Sequence, residues 1–134
     1  QEYGISVIFP IHPRTKGSLK KFHITLPRSI NAIEPCGFLE MLLLEKNAAF
    51  ILTDSGGVQE EACILQKPCI TLRENTERPE TLDVGGNVLG GLTRETILPA
   101  VRDMMNRQIR WRNPFGDGKT GERMVAIAED EQLQ

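Results

Sequence analysis

The sequence predicts an α/β fold in which helices cover a parallel β-sheet. Two observations lead to this fold class. Short apolar runs alternate along the chain with segments whose apolar residues recur at helical spacing, and this alternation is typical of stacked β-α units. The 134 residues are also 40% apolar and 25% charged, a composition that can fill one globular core. We therefore expect a single domain over residues 1–134.

The first predicted elements are a strand, a short helix and a second strand. Residues 5–10 are rich in β-branched side chains and end at a proline, which indicates a strand. A short basic helix, capped by Thr15 or Ser18 and ending at Phe22, is expected to follow. Residues 30–33 are then expected to form a second short strand, which ends at a Glu-Pro pair.

The middle of the chain predicts two further β-α units. Apolar residues recur at helical spacing over residues 37–46, and residues 48–53 give the clearest strand signal. An Asp-Ser-Gly-Gly break follows, and helical spacing resumes over residues 58–65. This helix is expected to end at Lys67-Pro68, since a proline disfavours helical geometry in the residue before it. Residues 69–72 form the next strand.

The last third of the chain predicts a loop, an edge strand and two helices. Residues 73–81 are charged and aperiodic, so we expect a surface loop, and residues 82–92 carry a short edge strand between two glycine pairs. A helix over residues 96–105 is expected to be capped by Thr96 rather than Thr93, because a helix accepts Pro99 in its first turn. After a glycine-rich connection, residues 122–129 form the final helix.

Charge, apolar content and cysteine usage exclude several classes of protein. With 16 Lys and Arg against 18 Asp and Glu, the chain lacks the positive field that nucleic-acid binding requires. Its apolar runs, such as residues 41–44, are far shorter than the roughly 20 residues that cross a membrane. Cys36, Cys63 and Cys69 lack the number and spacing of a disulfide framework or zinc site. We expect a cytoplasmic protein in which Cys63 and Cys69 are core residues.

The most informative motif is the turn from the strand over residues 48–53 into the following helix. A helix that opens on Ser55-Gly56-Gly57 directs backbone N–H groups and a positive dipole end beyond the edge of the sheet, where an anion can bind. Glu61 lies one turn further on, where its carboxylate could accept from sugar hydroxyls. The alternative is an ordinary tight turn with Asp54 or Ser55 as the helix cap.

Two further segments are expected at the same edge of the sheet. Arg73 and Arg78 follow the next strand and offer planar guanidinium groups suited to phosphate, although such a charged run can also be a solvated loop. His12 follows the first strand, where it could donate to phosphate or act as an acid, although a lone histidine can also serve a local hydrogen bond. His23 has no such placement.

Together these segments resemble the C-terminal half of the non-hydrolysing UDP-N-acetylglucosamine 2-epimerases. The resemblance spans nearly the whole chain, and two blocks in fixed order and spacing make it specific. The matching segments are His12-Pro13-Arg14, the TDSGGVQEE block over residues 53–61, Lys67-Pro68, Arg73, the TERPE block over residues 76–80, and the NPFGDG block over residues 113–118.

The resemblance implies a three-layer Rossmann-like domain that is one half of a two-domain glycosyltransferase B-type fold. Carried over by motif, Ser55, Gly56 and Gly57 would hold the diphosphate of a UDP-sugar, and Glu61 would bind the ribose hydroxyls. His12 and Arg78 would be the catalytic residues on the phosphate side of the sugar. Residues 35–41 would meet the uracil ring with Cys36 and Met41, where some relatives have Gln and Phe.

The resemblance also implies a reaction and its partners. UDP leaves the anomeric carbon to give a glycal and adds back with the C2 proton on the other face, without a metal or nicotinamide cofactor. The carboxylates that move this proton belong to an N-terminal domain in the family, so the chain alone should be inactive. Because the chain begins at Gln1 without a methionine, we expect it to be part of a longer enzyme. The resemblance implies that this enzyme is a homodimer and that it supplies polysaccharide precursors.

Two other functions fit parts of the sequence. The chain could be the corresponding half of an epimerase for a related sugar or of a UDP-sugar glycosyltransferase, although such transferases lack the arginine-bearing TERPE block. A phosphorylated receiver module would suit the length and an aspartate at a strand end. Receivers, however, need an acidic pair after the first strand, where this chain has Pro10-Ile11-His12-Pro13.

Overall fold

The computed structural model describes residues 5–107 and 110–131 of the chain. Residues 1–4, on which the expectation of a longer chain depends, lie outside the described residues. The chain divides into two compact units, Gln1–Met41 and Leu42–Gln134, and the boundary falls within a helix. In the part of the chain that the structure describes, no helix combines the length and apolar content that a membrane span needs.

The first unit contains a parallel pair of strands joined by a helix. Strand β1 (Val7–Pro10) pairs with β2 (Ile30–Ile33) in the register Val7 to Ile30, and helix α1 (Pro13–Lys21) lies between them in the chain. The predicted cap of α1 is wrong. Its N-cap is His12, whose Nδ1 accepts from the N–H of Arg14 at 3.2 Å, because Pro13 already has the φ angle that starts a helix.

The second unit contains a three-stranded parallel sheet and most of the helices. Helix α2 (Phe38–Asn47) crosses the boundary between the units. The strands pair in the order β3-β4-β5, which places β5 at an edge as predicted. The elements that follow α2 are β3 (Ile51–Thr53), α3 (Gly56–Ile64), β4 (Cys69–Thr71), α4 (Pro79–Asp83), β5 (Asn87–Leu89), α5 (Arg94–Asn106) and α6 (Thr120–Glu131).

The core of the second unit lies on both faces of its sheet. Cys69 of β4 packs with Ala62 of α3, whereas the next residue, Ile70, packs with Val101 and Met104 of α5. Neighbouring residues of a strand point to opposite faces, so α3 and α5 cover the two faces of the sheet. This arrangement confirms the predicted α/β fold class with a parallel sheet, and Cys69 is a core residue as expected.

The structure corrects two predictions in the last third of the chain. The loop expected over residues 73–81 ends early, because Pro79 starts helix α4 and the side chain of Thr81 is completely buried. Helix α5 begins at Arg94 with Thr93 as its cap, and not at Thr96. The N–H of Thr93 donates to Thr96 Oγ1 at 3.4 Å. Thr93 and Thr96 form a capping box, which stabilises the first turn although Pro99 lies within the helix.

Gly90 is one position at which the fold itself requires a glycine. A Cβ atom there would lie 2.7 Å from Ile70 Cγ2 in the core. We expect Gly90→Ala to lower the free energy of unfolding by about 1–3 kcal/mol, because the core must shift to admit a methyl group. Urea unfolding checks this value, with Gly121→Ala as the control, since a Cβ at Gly121 meets nothing within 4 Å. Equal unfolding midpoints for the two variants would contradict the prediction.

Candidate functional site

The turn between β3 and α3 presents free hydrogen-bond donors. Ser55 is the N-cap of α3 in an extended conformation, and its side chain makes no capping bond. Within the described residues, the N–H groups of Gly56, Gly57 and Val58 have no protein acceptor. The N–H of Ser55 is not free, since it donates to Thr53 Oγ1 at 3.0 Å. Three backbone amides and one hydroxyl therefore remain for an anion at the positive end of the helix dipole.

The two glycines of this turn are not required by the fold. A Cβ at Gly57 would come no closer than 3.9 Å to Ser55 Oγ, and one at Gly56 would lie 3.8 Å from Arg78 Cζ. Both are ordinary contact distances, and neither glycine has a positive φ angle. Their small size therefore leaves open space above the backbone, which a ligand needs in order to approach the amides closely.

Arg78 lies beside the start of α3. The sequence analysis expected its segment at the same edge of the sheet as the Ser-Gly-Gly turn. Its guanidinium is next to Gly56, and its Nε forms an ion pair with Glu60 of α3. Because both side chains are about one-third exposed, this ion pair adds at most about 1 kcal/mol to stability. Arg73, the other arginine of the segment, instead pairs with Glu77 at 3.9 Å. Of the two predicted arginines, Arg78 is the one placed at the helix start.

A buried polar network holds the segment that carries Arg78. Gln59 and Asn87, which are 0% and 2% exposed, are its centre. Gln59 Oε1 accepts from Thr76 Oγ1 at 2.5 Å and from Asn87 Nδ2 at 3.2 Å. Asn87 also donates to Thr81 Oγ1 at 3.0 Å and accepts from Thr71 Oγ1 at 2.9 Å. The network thus joins α3, β4, α4, β5 and the loop before Arg78.

The same network fixes the backbone of Arg78. Thr76 Oγ1 accepts from the Arg78 N–H at 3.0 Å, and Thr81 Oγ1 donates to the Arg78 carbonyl at 2.7 Å. Both polar groups of the Arg78 backbone are therefore held by side chains of the network, which preorganises the position of the guanidinium stem. Sequence analysis missed these supporting residues. The available signal was a glutamine and an asparagine, Gln59 and Asn87, within otherwise apolar helix and strand segments.

Glu61 of α3 lies in a half-buried position and faces a second carboxylate. That carboxylate belongs to Glu45 of α2, which is only 2% exposed. Burial first, and then the charge and hydrogen bond of Glu61, raise the pKa of Glu45 to about 7. Sequence analysis did not identify Glu45, although a lone carboxylate after three leucines, residues 42–44, is an unusual feature.

The predicted site residues divide between the two units. Ser55, Gly56, Gly57, Glu61 and Arg78 belong to the second unit, and all five lie on or beside the first two turns of α3. The other three belong to the first unit, where one is an exposed N-cap and two are partly buried. These three are His12, Cys36 and Met41.

Comparisons with known proteins agree with the motifs. A family model described as UDP-N-acetylglucosamine 2-epimerase matches residues 1–129. The UDP-N-acetylglucosamine 2-epimerase of Methanocaldococcus jannaschii is 58% identical in an alignment of 129 positions, which covers 93% of this chain and 35% of that protein. The UDP-2,3-diacetamido-2,3-dideoxy-D-glucuronate 2-epimerase of Pseudomonas aeruginosa is 38% identical over 120 residues, which cover 89% of this chain and 33% of that protein.

A solved structure shows the same similarity. The crystal structure of the M. jannaschii enzyme in complex with UDP-GlcNAc and UDP superposes with a TM-score of 0.88 at 57% identity, covering 96% of this chain and 36% of that one. The chain thus spans about a third of the length of the relatives it matches. Since the family model covers nearly all of its residues, the chain belongs to the UDP-N-acetylglucosamine 2-epimerase family.

Proposed function

We propose that the chain is the UDP-binding part of an enzyme that interconverts UDP-N-acetylglucosamine and UDP-N-acetylmannosamine. The single observation that carries this proposal is the group of free amides at Gly56, Gly57 and Val58, with the Arg78 guanidinium beside them. These hydrogen-bond donors and the positive guanidinium suit the negative charge of a diphosphate. The crystal structure of the M. jannaschii relative with UDP-GlcNAc and UDP supports the choice of nucleotide.

In this proposal the chain stabilises the departing nucleotide. When the bond between the anomeric carbon and UDP breaks, negative charge grows on the diphosphate, and fixed donors that face it lower the barrier. The amides at the start of α3, the Ser55 hydroxyl, Arg78 and His12 supply these donors. Glu61 accepts hydrogen bonds from the ribose hydroxyls, and Cys36 and Met41 meet the uracil ring.

The proton at C2 of the sugar is moved by groups outside this chain. Epimerisation needs an acid and a base on the two faces of C2, and the proposal assigns them to an N-terminal domain. The chain by itself is then expected to bind UDP weakly and to leave UDP-N-acetylglucosamine unchanged. The complete enzyme is proposed to be a cytoplasmic homodimer that supplies precursors for polysaccharide synthesis.

A chimera tests the contribution of this chain. In the chimera, residues 1–129, which the family model matches, replace the corresponding third of the M. jannaschii enzyme, which is 58% identical to this chain where the two align. NMR spectroscopy of the sugar protons should show conversion of UDP-N-acetylglucosamine into its C2 epimer. A folded chimera that binds neither UDP nor the UDP-sugar would contradict the proposal.

A second candidate sugar is a diacetamido uronic acid attached to UDP. The P. aeruginosa relative at 38% identity is named for that substrate, and a site for the diphosphate does not by itself specify the sugar. Supplying the full-length enzyme with both UDP-sugars distinguishes the candidates. Epimerisation of UDP-N-acetylglucosamine alone is the expected result.

A further inference from the structure

We infer that Glu45 and Glu61 share one proton, and that Glu45 is a positioning residue which orients the Glu61 carboxylate towards a bound ribose. The inference rests on the proposed function, because it concerns the carboxylate that is assigned to the ribose hydroxyls. It adds to the proposed site a buried carboxyl group, that of Glu45, which interacts with Glu61.

The surroundings of Glu45 favour its neutral form. Its side chain is 2% exposed, and within residues 5–107 and 110–131 no donor reaches Oε1 or Oε2. A buried carboxylate without a donor or a positive partner is strongly unfavourable. A protonated Glu45, in contrast, is a donor, and the Glu61 carboxylate lies within hydrogen-bonding reach of it. One proton placed between the two groups therefore satisfies both.

The groups that face Glu45 come from two elements. Within residues 5–107 and 110–131 they are the carboxyl group of Glu61 on α3 and the thiol of Cys69 on β4, and both interact electrostatically with Glu45. Burial raises the pKa of the Cys69 thiol to about 12, so this cysteine stays neutral near physiological pH. The pKa of Glu45, raised to about 7, belongs to the pair of carboxylates and marks the loss of the shared proton.

The direction of the pH effect follows from this raised value. Below about pH 7 Glu45 donates to Glu61 and fixes it in one orientation. Above about pH 7 the proton is lost, and two carboxylates repel each other in a site that water hardly reaches. The folded chain also holds this proton more tightly than the unfolded chain, so stability should fall as the pH rises from about 4.5 through about 7.

The first part of the test measures the proton directly. Carbon-13 NMR of the side-chain carboxyls, recorded on the full 134-residue chain between pH 4 and 9, follows each glutamate. Glu45 is expected to titrate near pH 7, and this step should disappear in Glu45→Gln. Glu95→Gln, at an exposed position of α5, serves as the control and should leave it unchanged. Titration of Glu45 near its ordinary value would overturn the inference.

The second part measures affinity for UDP-N-acetylglucosamine by calorimetry between pH 5.5 and 8.5. This probe is suitable because its diphosphate has no proton to lose in that range. The wild-type affinity should fall about three- to tenfold with rising pH, which corresponds to roughly 0.7–1.4 kcal/mol. Glu45→Gln should give a nearly flat profile, since its neutral amide remains a donor to Glu61 at every pH.

Two further outcomes decide the inference. Glu45→Met removes the donor and should weaken binding at pH 6 as much as deprotonation does in the wild type. A wild-type profile that Glu45→Gln leaves unchanged would overturn the positioning role and would attribute the pH effect to another group. If UDP-N-acetylglucosamine fails to bind at any pH, the proposed function is contradicted, whereas the carboxyl titration still decides whether the proton is shared.

Discussion

Gly57→Ala is expected to weaken UDP binding at least tenfold, about 1.4 kcal/mol, while leaving the chain as stable as before. The added Cβ would lie 3.9 Å from Ser55 Oγ, so the protein itself can accommodate it. A diphosphate that binds the amides of α3 must approach to hydrogen-bonding distance, and the methyl group would occupy part of that space. Gly57→Leu, which fills more of the space, should abolish binding.

Calorimetry with UDP and thermal unfolding of the same samples check both halves of this prediction. Alanine forms helix more readily than glycine, so Gly57→Ala should unfold at the same temperature as the wild type or slightly higher. Gly121→Ala, in the first turn of α6, is the matched helix control and should bind UDP normally. If Gly57→Ala binds UDP with wild-type affinity, the diphosphate does not lie over this turn.

Arg78→Ala is expected to lower the turnover of the full-length enzyme at least tenfold, about 1.4 kcal/mol in the activation barrier. The guanidinium lies beside Gly56 at the start of α3, where it would neutralise charge on the departing diphosphate. Its loss should affect the transition state more than the ground state, since the charge on UDP grows as the bond breaks. Steady-state rates with UDP-N-acetylglucosamine measure the effect.

Two neighbouring side chains provide controls for Arg78. Glu60→Gln removes the ion pair of Arg78 and keeps its guanidinium, so turnover should remain within about threefold of wild type. Arg73→Ala removes the other arginine of the segment, which pairs with Glu77, and should also have little effect. Turnover that is unaffected by Arg78→Ala, or that falls equally in Arg73→Ala, would remove Arg78 from the catalytic site.

The sequence predicted the features that depend on local chemistry. Residues 5–10, which are rich in β-branched side chains, contain strand β1, and the Ser-Gly-Gly break at the end of β3 became the start of a helix. These signals are strong because strand propensity and turn chemistry act within a few residues. The placement of Arg78 beside the start of α3 could be predicted for a different reason. Arg78 follows β4, and neighbouring parallel strands end at the same edge of a sheet.

The features that the sequence did not reveal depend on distant partners. Thr81 belongs to a segment whose composition is typical of a charged loop. It is nevertheless buried, and its hydroxyl accepts a hydrogen bond from Asn87 of β5. The network around Gln59 joins residues up to 28 positions apart, and no local pattern predicts such a pairing. Glu45 is similar, because its raised pKa depends on burial and on Glu61, which belongs to another helix.

We propose that the free amides at the start of α3 bind the diphosphate of a UDP-sugar. Amide NMR spectra of the chain, titrated separately with UDP and with uridine, examine these amides one by one. We expect saturable shifts that are largest for the N–H groups of Gly56, Gly57 and Val58 with UDP and small for the same groups with uridine. UDP binding that leaves these three resonances in place would contradict it.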